Sequence, residues 1–373
     1  MPDWFTDSFR AEYDRQLDSL GRFNLALFGK TGVGKSTLVN AVFGEPVADT
    51  GIGEPVTRDS HLYLDDRGRL GLLDTRGLEV GRDDKQLFKE LDAYVREMRK
   101  GPLEEQVHVV WYCIRGMDRR FEPFEADFVR HLDSLGLPVV VVLTQVPRTP
   151  DGVLHPDAVT LAEYVTDLGL PIVDGRPYPT YALEDPFSGQ SSYGLMDLLG
   201  ATFRSAPAAV HAALTAAQQI DHRRKASQAR RFIAGTAAGA AGVAATPIPF
   251  SDATVLVPLQ LGMMARIAQL YQVPVDRAAL LAVASTTLAT QAGRASVTGL
   301  LKLIPGAGTI AGGAIGAGIA SSFTYAMGEA WLTVVQRAAE GRLAGIDGLL
   351  DNEKVRAAFL DEFLRRAPKP SRD

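Results

Sequence analysis

The chain has 373 residues and a formal charge of -5. That length can fill two cores of ordinary size, and the acidic balance supplies no general basic field for nucleic acid, so no specific nucleic-acid partner is expected. The one cysteine, Cys113, excludes an internal disulfide, and the six histidines are scattered without the spacing of a zinc site.

In chain order, Phe5, Phe9, Tyr13, Leu17 and Leu20 recur every three or four residues and predict an amphipathic helix over 1–21. The opening residues lack the basic and then apolar runs of a secretory leader, so a reducing, cytoplasmic setting is expected. From residue 22 to 204 apolar runs alternate with polar helical stretches. Strands are expected at 22–28, 59–65, 69–74, 107–114 and 138–143, with helices near 35–43, 83–100, 121–135, 157–168 and 192–204. Such alternation predicts an α/β domain with a mostly parallel sheet covered by helices on both faces. Cys113 falls inside one of these strands and reads as a small core residue.

The strongest local pattern follows the first strand. Gly29, Lys30, Thr31, Gly32, Val33, Gly34, Lys35 and Ser36 spell G-x-x-x-x-G-K-[ST], with Thr37 opening the helix beyond. Glycines let the chain wrap tightly and aim backbone amides inward at phosphate oxygens. The helix N-terminus adds its free N–H groups and dipole. Lys35 neutralises the β- and γ-phosphates, and the Ser36 hydroxyl is suited to ligate magnesium. Further on, Asp74-Thr75-Arg76-Gly77 closes an apolar strand with D-x-x-G. Asp74 can hold magnesium through water, and the Gly77 amide can sense the γ-phosphate. A Gly/Pro-rich loop between them carries Thr57, the candidate for closing over metal and γ-phosphate. Lys35, Thr57 and Gly77 are therefore the candidate catalytic residues, and Ser36, Thr57 and Asp74 the candidate metal ligands.

These runs, with Pro55-Val56-Thr57-Arg58-Asp59, resemble the Era-like branch of the translation-factor-related GTPases, and the loop itself is similar to immunity-related and septin-type members. The resemblance covers about residues 22–204. It implies a GTPase that binds GTP and GDP with Mg²⁺ and switches on the γ-phosphate. It also directs attention to the base. Where the family has [NT]-K-x-D, this chain has Thr144-Gln145-Val146-Pro147, so lysine and aspartate are both replaced. Losing that carboxylate removes about 1–3 kcal/mol of guanine discrimination, and Asp151 is the nearest substitute along the chain. The later base loop survives as Tyr181, Ala182 and Leu183. Thr144, Gln145, Ala182 and Leu183 thus join the phosphate loop, Asp74 and Gly77 as expected nucleotide contacts. Leu78 stands where Ras-type enzymes carry a water-orienting glutamine, so turnover is expected to be slow, with Lys30, Arg58 and Arg76 as alternative cations.

After residue 204 the texture changes. A basic cluster (Arg223, Arg224, Lys225, Arg230, Arg231) precedes long uncharged runs, and Ile248-Pro249 with Gly262 recurs as Ile304-Pro305 with Gly318, suggesting a duplicated helical hairpin. Residues 205–350 read as an all-α, Ala/Gly-rich domain, and 351–373 as a charged tail. This pattern resembles an uncharacterised helical domain that follows small GTPase domains in some bacterial proteins and is described as membrane-type. The uncharged stretch 303–328 is long enough to span a bilayer at about 1.5 Å per residue. Its many Ala and Gly residues and the prolines nearby suit a soluble bundle equally. Lipid at the cytoplasmic face and a second copy of the chain are the partners left open. Three readings stand: a slow GTPase switch acting on the helical half, an oligomerising structural or membrane-remodelling module, and a P-loop ATPase without a guanine clamp.

Overall fold

A computed structural model describes residues 15, 21–44, 54–57, 60–65, 68–75, 84–244, 251–273, 313–345 and 350–366. The chain divides into two compact units, Leu20–Asp221 and Met1–Ser19 with His222–Asp373.

The first unit is an α/β domain built on a seven-stranded sheet. Its strands are β1 (Phe23–Phe28), β2 (Glu54–Thr57), β3 (Ser60–Leu64), β4 (Leu70–Thr75), β5 (Val109–Arg115), β6 (Val139–Thr144) and β7 (Tyr178–Pro179), in the order β2-β3-β4-β1-β5-β6-β7. From β4 to β7 every pairing is parallel, while β2 and β3 join antiparallel at one edge. Neither β2 nor β7 is expected from the sequence: four and two residues are too short for a period-two pattern to register.

Alternate residues of the central strands feed two cores, as expected of a sheet covered on both faces. Leu25, Leu27, Trp111, Val140 and Val142 point to one side. There they meet α1 (Lys35–Phe43), α5 (Leu195–Ser205) and α6 (His211–Ala217). Ala26, Phe28, Tyr112, Val141 and Leu143 point to the other, against α2 (Asp84–Met98), α3 (Pro123–Ser134) and α4 (Pro156–Asp167). The α6 residues Ala213, Leu214 and Ala217 belong to the first core. The Ala-rich stretch just after residue 204 therefore folds with the α/β unit, a placement that composition alone does not reveal. At the N-terminal end of β1, the end away from the phosphate loop, the Asn24 amide donates to His108 Nδ1 at 2.9 Å, and His108 Nε2 lies 2.8 Å from Leu103 O. Burial lowers the His108 pKa below its ordinary value and keeps the ring neutral.

The second unit is helical: α7 (His222–Ala244), α8 (Ser251–Leu270), α9 (Gly313–Ala339) and α10 (Asn352–Arg366). Gly328 on α9 is the tight contact, since a methyl group there would crowd Ile233 and Met263. Gly239, four residues after Gly235 on α7, is in ordinary contact with Leu259, whereas Gly235 and Gly318 face open space. Trp331 Nε1 donates to Met264 O at 2.8 Å and Gln260 Nε2 to Thr324 Oγ1 at 3.0 Å, so polar bonds lock the helices as well as packing. Arg337 pairs at 2.9 Å with buried Glu362 of α10. The outward face of α7 forms an open groove of about 540 Å³ lined by Arg223, Ser227, Arg230, Arg231 and Tyr325. Among the described residues no helix is long and apolar enough to cross a membrane. Of the uncharged stretch 303–328, only 313–328 is described, and it forms the start of α9, which goes on to carry Glu329 and Arg337. The expected helix at 1–21, apart from Arg15 and Gly21, and the two Ile-Pro pairs lie outside the described residues.

Candidate functional site: a phosphate loop at the strand ends

The loop leaves the C-terminal end of β1 in the middle of the sheet, the position where open α/β sheets bind ligands. Gly29 has φ 134°, and a Cβ there would overlap the Cys113 carbonyl oxygen, so the first turn admits only glycine. Gly34 takes a left-handed conformation as N-cap of α1, which has no acidic residue in its first turn. The free amides at the start of α1 thus keep their positive end for an anion. Val33 is buried beneath the loop, and its carbonyl accepts from buried Thr144 Oγ1 at 2.5 Å. Thr144 also lies 3.2 Å from Ile114 O, so it fastens the loop to β5 and β6 at once.

Lys35 Nζ donates to Gly29 O at 2.8 Å and Lys30 O at 3.1 Å, which folds the ammonium back across the loop. Lys30 takes a different course: its ammonium lies 3.2 Å from Glu122 Oε1 and 3.9 Å from Glu125 Oε2 at the start of α3. Burial pushes the Glu125 carboxyl above its ordinary pKa, opposed by the Glu122 amide and Lys30. Thr31, Ser36 and Thr37 are exposed. Sequence reasoning alone does not bring out these two glutamates. The pattern Glu122-Pro123-Phe124-Glu125 carries only the signal of a helix start, with Glu125 Oε2 accepting from the Glu122 amide at 2.7 Å.

Asp74 pairs in register with Leu27, which brings the end of β4 beside the origin of the loop. Thr57 ends β2 opposite Ser60. Gly77, Arg58, Arg76 and Leu78 lie outside the described residues. Among the described residues there is no group of three or more His, Cys, Asp and Glu side chains able to hold a metal. The candidate set of Ser36, Thr57 and Asp74 is instead two hydroxyls and one carboxylate, hard oxygen donors of the kind Mg²⁺ takes when phosphate and water fill its other positions.

On the base side, Gln145 has φ 54° and its Nε2 packs against Gly34, 3.5 Å from Gly32 O. Val146 is fully buried and its amide donates to Thr180 O at 3.0 Å. The chain then turns out through Pro147 into a hairpin closed by Arg148 and Leu154, with exposed Asp151 at its tip. This hairpin and the loop carrying Ala182 and Leu183 are joined: the Arg148 amide donates to Gln190 Oε1 at 3.0 Å, and its guanidinium stacks on Tyr193 at 3.9 Å. Tyr193 OH in turn donates to Val146 O at 2.8 Å. Leu183 is 65% exposed at the surface of this pair of loops.

Comparison with known proteins agrees with this geometry. Residues 24–145 match the family described as 50S ribosome-binding GTPase, and residues 210–345 match a domain of unknown function, DUF697. The GTPase Era of Thermoanaerobacter sp. (strain X514) is 29% identical over 129 residues, 34% of this chain and 40% of that protein. Cell division control protein 10 of Saccharomyces cerevisiae is 22% identical over 147 residues, 32% of this chain and 46% of that protein. The chain thus spans less than half the length of these curated relatives. A crystal structure of a probable GTP-binding protein engB aligns at 18% identity and TM-score 0.30, covering 49% of this chain and 97% of that one. A superposition that loose adds nothing to the strand order above. The first unit thus matches a GTPase family model over residues 24–145, with Era-like relatives at modest identity. The DUF697 match begins within the first unit, at residue 210, and runs on through the helical region to residue 345.

Proposed function

We propose that this chain is a magnesium-dependent GTP-binding protein that hydrolyses GTP slowly and uses the nucleotide as a switch on its helical unit. The observation that carries the reading is the loop itself: Gly29 under the Cys113 carbonyl, Val33 fastened by Thr144, and Lys35 folded across. In this reading the backbone amides from Gly32 to Thr37 bind the phosphates. Lys35 exchanges the Gly29 and Lys30 carbonyls for β- and γ-oxygens. Ser36, Thr57 and Asp74 would hold Mg²⁺, which when bound supplies positive charge against the charge developing on the phosphoryl oxygens. Thr57 and Gly77 would report the γ-phosphate to the rest of the chain. Turnover of GTP measured with Mg²⁺ and with EDTA tests this. Activity should require the metal, and Ser36→Ala should weaken the metal dependence. Turnover indifferent to both would refute the assignment.

Two finer points rest on particular observations. Pro147 at the aspartate position, with Asp151 exposed at a hairpin tip, favours a site that tolerates adenine as well as guanine. The groove favours docking of the helical unit on an anionic lipid surface, since it gathers the guanidinium groups of Arg223, Arg230 and Arg231, with Glu329 3.3 Å from Arg230. Assembly with a second copy would show as a GTPase rate per molecule that rises with protein concentration.

A further inference from the structure

Lys30 is the second residue of the phosphate loop, where a cation is naturally assigned to the nucleotide. Its observed partners are elsewhere. The ammonium lies 3.2 Å from Oε1 of Glu122, the N-cap of α3, and 3.9 Å from Oε2 of Glu125 in its first turn. The Glu125 side chain is only 5% exposed. It is held from two other directions, by the Glu122 amide at 2.7 Å and by the Tyr112 hydroxyl at 3.2 Å. Tyr112 stands on β5 in register with Phe28, the last residue before the loop. A closed circuit results: β1 leads into the loop, Lys30 reaches α3, and Glu125 returns through Tyr112 to the strand beside β1. Lys35 has no part in it, since its ammonium bonds Gly29 O and Lys30 O.

We propose that Lys30 is a positioning residue that ties the phosphate loop to α3 through Glu122 and Glu125, leaving phosphate neutralisation to Lys35 and the backbone amides. The physical reason is asymmetric. Were Lys30 to turn to the nucleotide, the largely buried Glu125 carboxylate would lose its cation, and an unpaired buried charge costs more than an exposed pair gains. The circuit also makes the first turn of α3 part of the nucleotide site, although α3 contributes no phosphate contact.

The inference rests on the reading that the loop binds a nucleoside triphosphate, and one set of titrations separates the two. The full-length protein is titrated with fluorescent GDP and with a fluorescent, non-hydrolysable GTP analogue, as parent, Lys30→Glu, Glu122→Lys and the double swap. Lys30→Glu should weaken both nucleotides by the same factor, about tenfold, and the swap should recover affinity to within about threefold of the parent. A loss confined to the triphosphate, with no recovery in the swap, would show that Lys30 contacts the γ-phosphate and would overturn the proposal. Unchanged affinity in Lys30→Glu would overturn it too. A parent that binds neither nucleotide refutes the nucleotide reading and the inference with it. If Lys30→Glu does not fold, Lys30→Met and Lys30→Arg carry the same comparison: Met should weaken both nucleotides equally, Arg should restore them, and a triphosphate-only loss again contradicts the proposal.

Discussion

The Cα of Gly29 sits directly under the main-chain carbonyl oxygen of Cys113, so closely that no side chain fits between the loop and the neighbouring strand. The obstacle is backbone rather than a movable side chain, and the φ of 134° at Gly29 adds its own cost for any L-residue. Gly29→Ala should therefore lower the stability of the first unit by about 2 kcal/mol or more and weaken nucleotide binding in parallel. Urea unfolding followed by Trp111 fluorescence, with Trp4 and Trp331 replaced by Phe, measures the first effect, because Trp111 is fully buried on β5. A variant as stable as the parent would contradict the packing described.

Thr144 lends itself to a cleaner substitution. Its hydroxyl donates into the Val33 carbonyl from a buried position, and Thr144→Val keeps the shape while removing the donor. The expected cost is about 1–3 kcal/mol for the carbonyl left unsatisfied. Nucleotide affinity should fall with it, because Val33 lies within the loop. Denaturation and nucleotide titration of the same variant check the two together.

Base selectivity follows from Pro147. A carboxylate restored by Pro147→Asp should shift the GTP-to-ATP preference towards GTP by about tenfold, the size of one recovered bidentate partner. Competition of both nucleotides against a fluorescent analogue measures this ratio. An unchanged ratio would mean that the base is read elsewhere, for example by the loop of Ala182 and Leu183.

His108 sets a pH dependence whose sign is fixed. Its folded pKa lies below the ordinary histidine value, so the unfolded chain binds the extra proton first. The contribution is fully present above about pH 6.5 and is lost as pH falls from there through the folded pKa. Replacing His108 with Gln should lower stability at neutral pH and flatten this part of the acid limb. Melting temperatures of parent and variant between pH 5 and pH 8 reveal the difference.

Lipid docking of the helical unit predicts that vesicles containing anionic phospholipid, but not neutral ones, carry the protein in flotation. Arg223→Ala with Arg231→Ala should abolish it, as should high salt. Flotation unaffected by the double substitution would remove the groove from the account.

The α/β half was legible because its signals are local and redundant. The apolar run before Gly29, the glycine spacing and the alternation of strand and helix all point to one architecture, and the observed β1, α1, β5 and β6 fall within a residue or two of their expected positions. What escaped was non-local. Glu122 and Glu125 read as a helix start, and only the fold brings them to Lys30, ninety-two residues away along the chain from Glu122. Likewise α6 is even richer in alanine than the helices beyond it. Its attachment to the first core depends on Ala213, Leu214 and Ala217 meeting the sheet, which periodicity cannot show. In the helical half, repeated small residues state that close approach is allowed and not where it occurs, and the tight approach falls at Gly328.

The most direct test of the account is nucleotide titration of Lys35→Ala in the presence of Mg²⁺, by calorimetry or a fluorescent GTP analogue. The variant should retain its fold, since Lys35 bonds only main-chain carbonyls at the surface of the loop, and its affinity should fall at least about a hundredfold. Affinity equal to that of the parent would contradict the assignment of this loop as the triphosphate site.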